Sequence, residues 1–178
     1  WLHSEMDERE RQAAFMALTW LLDDPSPHVR LALAEALADA ADAPRSLILP
    51  LAEDQPDIAC QIIARSPVLT EVDLVELAAR GDAITRALIA SRFIVSPPVC
   101  AAIAEIGGAA EIEALLTNPG AIVTRQSLRR ISERLGHAAE IRDLLLTREE
   151  LPADARHGLA VSISHALSES SLVRNAIG

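Results

Sequence analysis

The stretch Asp24-Pro25-Ser26-Pro27-His28-Val29-Arg30-Leu31-Ala32-Leu33-Ala34-Glu35-Ala36-Leu37-Ala38 decides the fold. It opens with residues that stop one helix and start another, then runs on in alanine and leucine. An Asp offers an acceptor to the unpaired N–H groups of a first helical turn. Proline fits at that turn, where its missing N–H removes no hydrogen bond. Behind it, Val29, Leu33, Ala36 and Leu37 recur at helical spacing and draw one apolar stripe.

The same punctuation returns along the chain. Leu51-Ala52-Glu53-Asp54-Gln55-Pro56 is followed by Leu77-Ala78-Ala79-Arg80-Gly81-Asp82 and Leu115-Leu116-Thr117-Asn118-Pro119. A degenerate copy, Leu144-Leu145-Leu146-Thr147-Arg148, leads to Leu151-Pro152. After each turn come apolar residues at helical spacing: Ile58, Ile62 and Ile63; Ile84, Leu88 and Ile89; Ile122, Leu128, Ile131 and Leu135. The pattern predicts antiparallel helix pairs. First (A) helices are expected at 7–22, 43–53, 71–80, 109–117 and 138–147, and second (B) helices at 28–40, 56–65, 83–93, 119–135 and 152–167. An extra helix at 97–106 follows Ser96-Pro97-Pro98 and ends at Gly107-Gly108.

One such pair cannot bury its own stripe, so successive pairs must stack. The expected fold class is all-α, a right-handed α-α superhelix of about five helix pairs plus one inserted helix. It forms a single domain over 1–178, with repeats near 7–40, 43–65, 71–93, 109–135 and 138–167. The abrupt start, Trp1-Leu2-His3, reads as an excised segment of a longer chain.

Asp24 followed by Val29-Arg30 resembles the turn and second-helix start of a HEAT repeat. The run APRSLILPLAEDQPDIACQIIARSPVLTEVDLVELAARGD (43–82), then ALIASRF (87–93) and Leu151-Pro152, is similar to a bacterial HEAT-like family, the domain of unknown function 2336. Its characteristic pieces are Ser66-Pro67-Val68-Leu69, Asp73-Leu74-Val75 and Ile89-Ala90-Ser91-Arg92, and the resemblance covers about 20–165. It implies a HEAT-like solenoid and supplies no catalytic residues.

Composition narrows the function further. All sixteen basic residues are Arg. Schiff-base chemistry, a P-loop lysine and a pyridoxal anchor each need a primary amine and are excluded. The formal charge is −10, with −11 over residues 1–118 and +1 over 119–178. This balance opposes non-specific binding to nucleic acid or an anionic membrane. No apolar run reaches the ~18–20 residues of a membrane span, so a cytoplasmic location is expected. Cys60 and Cys100 fit no zinc spacing and read as small core residues.

No reactive constellation emerges. His3, His28, His137, His157 and His165 form no HExxH, and Ser66, Ser91, Ser96 and Ser162 lack a nucleophile elbow. The glycines form no GxGxxG. The paired carboxylates Asp23-Asp24, Asp39 with Asp42, and Glu149-Glu150 sit at expected helix ends, where they act as caps and solvated charge. No enzyme activity, metal or cofactor is expected.

The arginines carry more information. The A segments, with 97–106 counted among them, sum to −7, whereas the B segments sum to +4. Arg86, Arg92, Arg125, Arg129, Arg130 and Arg134 supply most of the positive charge. If B helices line an inner surface, a basic groove is expected over 83–135, able to grip carboxylates or phosphates bidentately. The competing expectation is a ladder, in which Arg30 and Arg86 bind the repeat-turn residues Asp24, Asp54, Asp82 or Asn118 and hold adjacent units in register. Arg125, Arg129 and Arg130 have too few neighbouring acids for that. The expected function is a non-enzymatic protein–protein interaction scaffold whose groove holds an acidic protein or peptide partner. A structural or dimerisation module of a larger regulatory protein, here a homodimer, is the alternative. A nucleic-acid-binding HEAT-like module comes third, because Trp1 and Trp20 lie away from the arginines.

Overall fold

The computed structural model describes residues 7–169. Eleven helices run through them: α1 (Glu8–Leu22), α2 (Pro27–Leu37), α3 (Arg45–Ala52), α4 (Pro56–Arg65), α5 (Glu71–Arg80), α6 (Ala83–Ala90), α7 (Pro97–Ile106), α8 (Ala109–Thr117), α9 (Arg125–Leu135), α10 (Ala139–Thr147) and α11 (Ala153–Glu169). Among the described residues the one β-bridge outside a helix is parallel and joins Val95 to Ala121. No helix among them is long and apolar enough to cross a membrane. Trp1, His3, the His165 side chain and nearly all of the 168–178 tail lie outside the described residues. The chain divides into two compact units, Trp1–Leu77 and Ala78–Gly178, with the boundary inside α5.

In the first unit, local chemistry sets where helices begin. Asp7 and Glu10 form a capping box, each carboxylate accepting from the other's backbone N–H at 2.8 and 2.9 Å. Helices α2 and α4 open on Pro27 and Pro56, and α3 follows Pro44. Helix α1 packs on α2 and α3, α2 packs on α3 and α4, and α3 packs on α4. The core is aliphatic: Leu37, Leu47, Ile48, Leu51, Ile58, Ile62 and Ile63 are fully buried. Each such side chain contributes roughly 1.5–3 kcal/mol through burial. In α2 Leu33 and Leu37 are buried as expected, but the buried alanine is Ala34, while Ala36 faces solvent.

In the second unit, each helix from α6 onward packs on the next but one. Helices α6, α8 and α10 form one layer, and α7, α9 and α11 the other. Ile89, Ile103, Ile112, Leu115 and Leu128 fill the space between them. Helix α7, expected as an insertion, is therefore an ordinary member of its layer. Helix α6, expected beside α9, packs on α8 instead. With helices assigned to their observed layers, the charge contrast within this unit shrinks to −2 for α6, α8 and α10 against +1 for α7, α9 and α11.

The cause lies in two connectors, residues 91–96 and 118–124, which the sequence pattern assigned partly to helices. Helix α6 ends at Ala90 and not at 93, and α9 begins at Arg125 and not near 119. The Asn118 amide donates to the carbonyls of Ala90 and Arg92, both at 2.7 Å. Val95 N–H donates to Gly120 O, and Ile122 N–H to Val95 O, each at 3.0 Å. A Cβ on Gly120 would stand 1.9 Å from the Phe93 carbonyl oxygen, so only glycine permits this approach. Ile122, expected in an apolar stripe, lies in the second connector and is 56% exposed; Ile84, in the first turn of α6, is likewise 60% exposed.

Candidate functional site

Six of the arginines act as ties, in two sets. Arg30, in the first turn of α2, donates to the Asp24 carbonyl of its own loop at 2.8 Å. It also grips Asp54 of the following loop with two N–H groups, at 2.6 and 3.0 Å. Arg86, in α6, repeats the arrangement with the Gly81 carbonyl at 2.6 Å and Glu111 at 3.2 Å. Arg45 reaches Asp73 and the Val68 carbonyl. Arg30 pairs with a turn Asp as the ladder expectation has it, whereas Arg86 pairs with buried Glu111 of α8 and with no turn Asp.

A second set of ties serves helix C-termini, whose last carbonyls have no partner within the helix. Arg134 donates to the carbonyls of Ala104 and Gly107, at 2.7 and 3.0 Å. Arg148 donates to the Leu116 carbonyl. Arg156 donates to the carbonyls of Leu146 and Arg148, at 3.0 and 2.7 Å. Guanidinium suits this work because its planar fork satisfies two acceptors at once. Arg92 is half-buried, and burial lowers its pKa from the ordinary arginine value.

The electrostatics follow from these contacts. The hydrogen bond from Arg30 holds the Asp54 carboxyl below its usual range. Arg45, helped by the Thr70 hydroxyl and N–H, draws Asp73 down to about 2. Burial pushes Glu111 upward, but N–H groups at the start of α8 and the Arg86 guanidinium outweigh it and leave the pKa lowered.

The turn residues divide into two kinds. Asp82 is a true cap, accepting from Thr85 N–H at 2.8 Å. Asp24 and Asp54 bind one or two residues ahead instead, to Ser26 and Gln55 N–H, and leave Ser26 and Gln55 at the formal cap positions. Asn118 clasps two connectors, while Thr124 caps α9 by accepting from Ser127 N–H at 3.1 Å.

Three further arginines meet at an open groove of about 790 Å³ in the second unit, between α7, the first turns of α9, and Pro152–Ala153. Arg125, Arg129 and Arg130 line it with Glu105 and Glu133. A second groove, of about 410 Å³, shares Arg129 and Glu133 and adds Asp154 and Gly158 of α11. Arg130 binds Glu105 through two hydrogen bonds of 2.7 Å, and Arg129 lies 3.0 Å from Asp154. The acids that the sequence lacked nearby are thus delivered from twenty-five residues away by the neighbouring helices. Arg125 makes no hydrogen bond or ion pair through its guanidinium among the described residues.

No group of three or more His, Cys, Asp or Glu that could hold a metal ion occurs among the described residues. Cys60 is half-buried and Cys100 buried, both as free thiols, and burial pushes the Cys100 thiol up to about 11.

Together these features define an all-α protein of short, arginine-tied helices with an open, charge-lined groove in its second unit. Over residues 58–178 the chain matches the family described as uncharacterised protein conserved in bacteria (DUF2336), and it belongs to that family. No curated protein and no solved structure matches it.

Proposed function

We propose that this chain is a non-enzymatic, HEAT-like helical-repeat module that holds an acidic peptide or protein segment in the groove lined by α7, α9 and α11. The HEAT-like assignment is supported by the next-but-one stacking of helices inside each unit. The observation that carries the functional reading is Arg125. It lines the groove, faces solvent and has no partner for its guanidinium among the described residues, whereas most other arginines of this unit are engaged in ties. A carboxylate entering the groove meets that guanidinium first and can then compete for Arg129 and Arg130, whose own pairs are solvent-exposed and weakly held. A cytoplasmic location is part of the proposal.

The test is fluorescence polarisation with a labelled Glu-rich peptide. Arg125→Glu should weaken binding about tenfold or more, and added salt should weaken the parent complex. Binding unchanged by Arg125→Glu would remove the groove as the site. A labelled oligonucleotide of similar charge serves as the comparison for the nucleic-acid reading, which the net charge of −10 disfavours. The second reading, a dimerisation module, is supported by a separate observation on α1.

A further inference from the structure

Helix α1 carries large apolar side chains that no other helix covers. Its inner side packs on α2 and α3. Its outer side presents Arg9, Ala13, Met16, Trp20 and Asp23, all exposed, with Met16 at 50% and Trp20 at 72%. These positions alternate in steps of four and three residues, the spacing of a helix–helix seam. From this seam we infer that α1 is a homodimer interface, pairing antiparallel with α1 of a second copy around a twofold axis at Met16.

The occupant follows from the ends of the seam. Arg9 and Asp23 are equidistant from Met16 in sequence, seven residues to either side. In an antiparallel pair each Arg9 meets the other copy's Asp23, and Trp20 lies over the small Ala13 and the Gln12 stem. A parallel pair would set Arg9 against Arg9 and Asp23 against Asp23. Asp23 is also the C-cap of α1, where a carboxylate faces the negative end of its own helix. A cation from the second copy is favoured at that place. The seam is therefore complementary to itself in one orientation. A single helix of 15 residues buries less than the ~800 Å² per partner of stable interfaces, which places the dimer among weak, reversible associations. This inference is independent of the groove on α9.

The experiment is sedimentation equilibrium of the full chain from micromolar to millimolar concentration. A monomer–dimer equilibrium is expected, and Trp20→Glu should abolish it with circular dichroism unchanged, since Trp20 is an exposed side chain. Arg9→Asp alone should weaken the dimer about tenfold, and Arg9→Asp with Asp23→Arg should restore it. Met16→Cys in a Cys60→Ser background should oxidise to a disulfide-linked dimer, because Met16 lies on the twofold axis. A parent chain monomeric throughout overturns the inference. So does a dimer indifferent to Trp20→Glu, or one that the double charge exchange fails to restore.

Discussion

Arg30 and Asp54 lie twenty-four residues apart in sequence and meet side by side, Nε to Oδ2 at 2.6 Å and Nη2 to Oδ1 at 3.0 Å. Both side chains are more than four-fifths buried. The pair ties the loop before α2 to the loop before α4, because Arg30 also holds the Asp24 carbonyl. Arg30→Ala and Asp54→Ala should each lower the melting temperature. The double variant should melt close to the worse single one, since both remove the same contact. Thermal unfolding of the four-member cycle measures the coupling, and strictly additive losses would show that the pair does not act as a tie.

Asp73 gives the first unit a defined acid sensitivity. Its folded pKa is about 2, against an ordinary value of 3.8, through Arg45 and Thr70. A depressed carboxylate stabilises the fold fully above its unfolded pKa, and that contribution disappears as pH falls through the folded pKa. About 1–2 kcal/mol should therefore be lost between roughly pH 4 and pH 2. Asp73→Asn should flatten urea-melt stability across that window, while the parent chain falls.

Gly120 is the point of closest approach between the two connectors of the second unit. An added Cβ meets the Phe93 carbonyl at 1.9 Å, and backbone cannot step aside as a flexible side chain can. Gly120→Ala should cost about 2–4 kcal/mol. Loss of slow hydrogen exchange at the Val95 and Ile122 amides, which bridge the connectors, would localise the damage.

Gly158 presents the opposite case. It lies inside α11, and a Cβ there meets nothing within 4 Å. Gly158→Ala should stabilise the helix by about 0.5–1 kcal/mol, because alanine loses less backbone entropy on folding. Denaturant titration should show a higher midpoint with an unchanged slope.

Arg134 and Arg125 stand nine residues apart in α9 and should behave differently. Arg134→Ala strands the carbonyls of Ala104 and Gly107 and should cost about 1–3 kcal/mol. Arg125→Ala removes no guanidinium hydrogen bond or ion pair among the described residues and should stay within about 0.5 kcal/mol of the parent. Equal losses would mean that Arg125 is structural, and the binding proposal would lose its basis.

Helix starts were the most legible feature of the sequence, because they depend on neighbours along the chain. Asp82 caps α6 as read, and α4, α5, α7 and α8 occupy the predicted spans. Proline at a first turn and an acceptor before it act over a few bonds, so local residues suffice. Where the pattern failed, a distant group had intervened. Asn118 takes the carbonyls of Ala90 and Arg92, more than twenty-five residues back, and no periodicity in 83–93 or 119–135 reports that.

What the sequence determined alone was the class of structure: short amphipathic helices with marked beginnings, and arginine as the sole cationic anchor. Tertiary structure alone decided the rest. It placed α7 and α9 in one layer and α6 with α8, brought Glu105 and Asp154 to Arg130 and Arg129, and left Arg125 without a partner among the described residues. The physical reason is range. Capping and helical periodicity are set within one or two turns, whereas the partner of a long cationic side chain is whichever acceptor packing brings within about 3 Å. That choice is made only when the helices close on one another.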